Sequence, residues 1–155
     1  MERVSLDDVD DRMGPATEKR LVGDALGAVG VALNHYVLAP GDSFAFGYHA
    51  HEDQEEVFYV LSGTATFETE DGEVTVGERE AIRFAPGEYQ RGWNRGDDDV
   101  VALAIGAPAD MGETEILREC GDCGERTAQR IAMTDERDAL VTICECCDAE
   151  TGRFT

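Results

Sequence analysis

At 155 residues the chain has room for one ordinary domain and an appendage. Its 34 acidic residues outnumber 13 basic ones for a net charge of -21, spread from Asp7-Asp8 through Asp97-Asp98-Asp99 to Glu150, with Lys19 the only lysine. That balance argues against nucleic-acid binding, because phosphates need Lys and Arg to displace their counterions, and no apolar run is long enough to span a membrane.

Residues 1–28 are polar, broken at Met13-Gly14-Pro15, with Lys19 to Leu26 too short for a clear helix. They read as an arm that packs across the following domain or a partner subunit. Met1 to Asp7 carries no apolar signal segment, so a cytoplasmic, reducing location is the expectation. From Val29 to Ala107, short runs of β-branched and aromatic residues alternate with Pro-Gly, Ser-Gly and Asp-Gly turns, the pattern of an all-β barrel or sandwich. In this stretch Val31 to Leu38 reads as a strand carrying His35, whose facing the sequence leaves open. Phe44, Phe46, Phe58, Phe67 and Phe84 fall at strand positions and are expected in the core. Glu70-Asp71-Gly72-Glu73 reads as a hairpin loop. Val100 to Gly106, continuously apolar, reads as a buried strand, and Ala107 to Gly112 then breaks the pattern as a linker.

Within this region His49-Ala50-His51 places two imidazoles on one face of a strand, since alternate side chains share a face. Glu56 opens the next apolar run, Val57 to Leu61, and if that strand pairs back along the first its carboxylate closes on the two rings. Two His and one carboxylate leave coordination positions open opposite them, as in non-haem iron and related catalytic sites. Glu55 is the competing carboxylate; the six-residue gap to Gly63 favours Glu56.

The run from His49 to Gly63 resembles the first motif of the cupins: Gly, a short spacer, His-x-His, three or four residues, Glu, six residues, Gly. The leading glycine is Gly41 with a longer spacer or Gly47 with a shorter one. Ala39-Pro40-Gly41-Asp42 and Ala85-Pro86-Gly87 through Asn94 are further cupin-like pieces, and the resemblance covers roughly residues 30 to 106. It implies a double-stranded β-helix, the jelly-roll barrel, holding a divalent transition metal (Fe, Mn, Ni or Zn) on His49, His51 and Glu56. In the second motif Gln90 stands where the family's third histidine belongs, so it is a weak oxygen ligand, a holder of bound water, or neither. Tyr89 and Trp93 flank it and should face outward. Arg83 and Arg91 read as solvated surface arginines, with a clamp on a substrate carboxylate as the alternative.

Cys120-Gly121-Asp122-Cys123 and Cys144-Glu145-Cys146-Cys147 are two knuckles at zinc-ribbon spacing. Cys120, Cys123, Cys144 and Cys147 are the expected ligands of a structural zinc, leaving Cys146 spare. Arg130 to Met133 and Ala139 to Ile143 read as two short strands between them. So few apolar residues form no independent core, and the metal must supply the folding energy. This segment holds nine acids against five arginines and no basic stripe.

The expected organisation is therefore an all-β protein: an arm (1–28), a cupin barrel (29–107), a linker (108–117) and a zinc-ribbon-like β module (118–155). The resemblance implies a metal-binding protein that acts on or binds a small organic molecule, an oxygenase or isomerase among the choices. If it is an oxygenase, the metal is Fe(II), with substrate and dioxygen in the open positions. The alternative is a ligand-sensing adaptor whose ribbon docks a protein partner. A homodimer through the barrel is expected. The acidity resembles that of proteins from salt-in halophiles.

Overall fold

A computed structural model describes residues 1–155 as two packed sheets with one short α-helix and a single 3-10 turn at Leu6–Asp8. The strands are β1 (Glu18–Leu21), β2 (Ala32–Leu38), β3 (Tyr48–His51), β4 (Glu55–Ser62), β5 (Thr64–Thr69), β6 (Gly72–Gly77), β7 (Ala81–Phe84), β8 (Gln90–Trp93), β9 (Val100–Ala107), β10 (Thr114–Cys120), β11 (Glu125–Met133), β12 (Leu140–Cys144) and β13 (Glu150–Phe154). The helix, α1 (Val22–Ala25), follows β1. One sheet has the order β1-β2-β9-β4-β7 and the other β13-β12-β11-β10-β3-β8-β5-β6. Together they make a double-stranded β-helix, the jelly-roll barrel, with a small β module extending its second sheet.

Period-two alternation decides which side chains enter the barrel. On β4, Phe58 and Val60 are buried and Leu61 is exposed, so Glu56 shares the inward parity and Glu55 the outward one. On β9, Val100, Ala102 and Ala104 are buried while Val101, Leu103 and Ile105 are only partly covered, so the apolar run is one buried face, not two. Phe44, Phe58 and Phe67 meet with ring centroids 4.9 to 5.7 Å apart, and Phe84 and Tyr36 complete the aromatic core. Truncating Phe58, 2% exposed, to Ala should cost about 3–5 kcal/mol from lost transfer energy and the cavity left behind. Phe46 departs from the core expectation. It packs edge-on against Phe154 with centroids 5.0 Å apart, at the joint between barrel and module.

Two glycines are required by the packing. Gly63 turns β4 into β5 with φ +80°, and a Cβ there would lie 2.6 Å from the Asp99 carbonyl oxygen. Gly92 lets β8 pass the core, since a Cβ would fall 2.5 Å from both Phe44 and Phe67.

The structure draws the boundaries differently from the sequence reading. The arm supplies β1, which pairs antiparallel with β2 from Glu18↔Val37 to Leu21↔Asn34. Residues 114–117, expected in the linker, begin β10 and pair with β3, Thr114 opposite His51 and Ile116 opposite His49. The physical reason is the open edge of β3: a strand left there would expose unpaired N–H and C=O groups, and β10 covers them. The module is thus hydrogen-bonded to the barrel strand that carries both histidines.

Candidate metal centres and cavity

His49 and His51 project inward from β3, with ring centroids 4.9 Å apart. Glu56 arrives from β4. The two strands lie in different sheets, so the carboxylate reaches the rings across the barrel interior and not by strand pairing as the sequence suggested. Its Oε2 lies 3.6 Å from His51 Nε2 and 4.0 Å from His49 Nε2. Glu55 instead points out and pairs with Arg83 at 2.5 Å. One ligand atom from each of His49, His51 and Glu56 falls within 4.8 Å of the others.

The far side of each ring is held. His49 Nδ1 lies 3.1 Å from the Gly47 carbonyl oxygen, and His51 Nδ1 lies 2.9 Å from Thr114 Oγ1. Anchoring Nδ1 leaves Nε2 of both rings facing the shared centre; the Gly47 carbonyl can only accept, so His49 carries its proton on Nδ1, and the Thr114 hydroxyl can accept likewise from His51. Burial pushes the His49 imidazole below its ordinary pKa, which keeps the ring neutral.

Gln90 is buried at 2% exposure, directly opposite His49 in the β3–β8 register. Its amide nitrogen donates to Glu56 Oε2 at 3.0 Å and sits 3.3 Å from His49 Nε2, while its amide oxygen is buried without any partner. An orphaned buried carbonyl is costly. Rotating the amide by half a turn exchanges the two atoms and aims the oxygen at the same centre, so the donor set suits a cation with two nitrogens and two oxygens.

A cavity of about 380 Å³ opens onto this centre. Tyr36, Phe44 and Phe58 form its apolar wall, Met13 comes from the arm, and Ile131 and Leu140 come from the module. Burial keeps the Tyr36 phenol above its ordinary pKa, hence protonated. Thr114, Tyr36 and Lys19, the last two in the cavity lining, were missed in the sequence because each contributes only through strand pairing or facing.

Tyr89, which precedes β8, and the outward residues Arg91 and Trp93 of β8 behave as alternation requires. Tyr89 stacks on Tyr48 with centroids 5.3 Å apart. Arg91 is not a solvated arginine: its guanidinium lies 3.6 Å over the Trp93 ring, its Nε donates to Ser43 Oγ at 3.2 Å, and burial brings it down to about 9. It faces away from the cavity. Arg83 is exposed and paired, as expected of a surface residue. His35 faces out of the barrel beside Arg20 and Leu103, with Nδ1 unpartnered and burial lowering its pKa.

At the other end of the second sheet, Cys120, Cys123, Cys144 and Cys147 converge. Cys120 Sγ is 3.5 Å from Cys147 Sγ, and Cys123 Sγ is 3.8 Å from Cys144 Sγ. A tetrahedron with metal–sulfur bonds of about 2.3 Å has edges near 3.8 Å, whereas a disulfide needs about 2.05 Å. The two knuckles share one backbone form: Gly124 N–H donates to the Cys120 carbonyl and Asp148 N–H to the Cys144 carbonyl, with φ +73° and +60°. That repeat pairs Cys144 with Cys147 and leaves Cys146 exposed outside the cluster. A contact to Thr127 Oγ1 at 3.1 Å lowers the Cys144 thiol to about 6, favouring the thiolate.

With this geometry in view, a family model described as "Cupin domain" matches residues 34–106. A curated relative, the Tetracenomycin polyketide synthase protein TcmJ of Streptomyces glaucescens, is 31% identical over 86 residues. That match covers 56% of each chain, so this chain spans about half the length of the curated relative. Among solved structures, a sugar phosphate isomerase from a cupin superfamily of Silicibacter pomeroyi is similar at TM-score 0.62 and 21% identity, over 97% of this chain and 92% of that one. The polyketide cyclase RemF of Streptomyces resistomycificus is similar at TM-score 0.64 and 25% identity, over 79% of this chain and 89% of that one. No helix is long and apolar enough to cross a membrane.

Proposed function

We propose, taking a barrel of the cupin fold as premise, that this protein holds one divalent transition metal (Fe, Mn, Ni or Zn) inside the barrel and acts there on a small organic molecule. His49, His51 and Glu56 would be its ligands, with the Gln90 amide oxygen as a fourth donor. The observation that carries this reading is the convergence of both Nε2 atoms and Glu56 Oε2 beside the buried Gln90 amide. When bound, such a metal supplies a Lewis acid that polarises a carbonyl or holds an oxygen of the substrate.

The rest of the chemistry belongs to the protein. Tyr36, Phe44 and Phe58 exclude water from the apolar side of the substrate, and the protonated Tyr36 hydroxyl can donate a hydrogen bond to developing oxygen charge. Two of the similar proteins are a sugar phosphate isomerase and a polyketide cyclase, which supports isomerisation or cyclisation over oxygenation as the reading for this site. A second reading, a ligand sensor without turnover, is favoured by the Gln90–Glu56 hydrogen bond, which ties up a ligand oxygen. On either reading the four cysteines carry a structural zinc, the chain works as a homodimer in the cytoplasm, and the module is open to a protein partner.

Elemental analysis tests the barrel site. The intact protein should carry two metal equivalents, and His51→Ala should lose one while keeping that of the cysteines. Unchanged stoichiometry in the variant would remove the barrel metal.

A further inference from the structure

The charge of the cavity is opposite to that of the chain. Its lining includes two permanent cations, Arg12 and Lys19, and one carboxylate, Glu56, in a protein with 34 acidic residues and 13 basic ones. Glu56 is already engaged by His49, His51 and Gln90. Alternation along β1 sorts the others: Glu18 and Arg20 face outward and pair with each other at 2.7 Å, while Lys19 and Leu21 line the cavity.

Lys19 is the chain's only lysine and forms no ion pair. Its ammonium lies 5.4 Å from the centroid of the Tyr36 ring, a cation–π contact, in a half-buried position. Carboxylates are abundant on this surface and none is set against it. An anionic ligand in the cavity would supply the counter-charge that no carboxylate of the chain provides.

We propose that the cavity takes a small organic oxyanion, its headgroup on Lys19 with Arg12 beside it and its apolar body against Tyr36, Phe44 and Phe58. The headgroup is a carboxylate or a phosphate, which share this chemistry. A volume of about 380 Å³ lies at the small end of the range for small-molecule sites and suits a single ring or a short chain. The proposal deepens the reading above and rests on the barrel metal only for the reactive end of the ligand; Lys19 and Arg12 bind the charge with or without it.

Calorimetric titration of the full-length, metal-loaded protein in molar KCl, where the screening length of ~3 Å suppresses repulsion by the surface, reads the site directly. The probes are benzoate, phenyl phosphate and the neutral benzamide. One anion should bind at least about tenfold tighter than benzamide, with the better of the two identifying the headgroup. Lys19→Met should erase that preference without changing metal content, and Lys19→Arg, which keeps the charge, should retain it. Benzamide binding as tightly as both anions, anion affinity unchanged in Lys19→Met, or no anion binding at all would overturn the proposal. Lys19-dependent anion binding in protein whose barrel proves metal-free would leave the anion site standing and refute the metal reading alone.

Discussion

His51 owes its orientation to a hydroxyl from β10: Thr114 Oγ1, 2.9 Å from its Nδ1. Removing such an outer partner typically lowers metal affinity by about 10–100-fold, so Thr114→Val should weaken the barrel metal by that factor with the fold retained. Competition against a chelator of known affinity measures it, and an unchanged constant would mean that the ring is fixed by packing alone. Gln90→His makes the complementary test. Replacing an amide at 2% exposure, directly opposite His49, with an imidazole should tighten the barrel metal, and unaltered affinity would show that position 90 stays out of the coordination sphere. At this scale the sequence was readable wherever alternation or spacing decides: Glu56 inward, Glu55 outward, Tyr89 and Trp93 on the outer face. It was silent on Thr114, Lys19 and Tyr36, whose roles arise from strand pairing and facing that no local spacing encodes.

Among the elements, β10 changes the account most. The knuckles and their four cysteines were visible in the sequence, and the shared turn at Gly124 and Asp148 separates Cys147 from Cys146. What spacing could not show is that the module is no separate bead: β10 is hydrogen-bonded to β3, while Ile131 and Leu140 wall the cavity. The zinc proposed for the four cysteines would supply most of the stability of its short strands, on the order of 10 kcal/mol for structural zinc in small modules. Cys123→Ser should therefore open residues 118–155 to proteolysis and, by loosening β10, also weaken the barrel metal. Cys146→Ser should behave like the parent. Equal sensitivity of the two variants to protease would mean a wrong ligand assignment, and equal resistance would mean that no metal holds the module.

For the whole molecule, a net charge of -21 on 155 residues sets the conditions under which any of this chemistry occurs. Self-repulsion among exposed carboxylates disfavours the compact state in dilute salt, and most of it is screened within ~3 Å at molar ionic strength. The thermal midpoint should climb steeply from dilute to molar KCl; a flat midpoint would contradict the resemblance to salt-in proteins. The barrel class and its turns were legible because Pro-Gly, Ser-Gly and Asp-Gly punctuate β-branched runs. The continuity of the second sheet into the module was not, because long-range edge pairing leaves no local pattern. The central claim is that a metal sits among His49, His51 and Glu56, and the most direct measurement is electron spin-echo modulation of the Mn(II)-loaded protein. The account predicts nitrogen modulation from two coordinated imidazoles in the parent, reduced to one in His51→Ala. Absence of nitrogen modulation in the parent would contradict it.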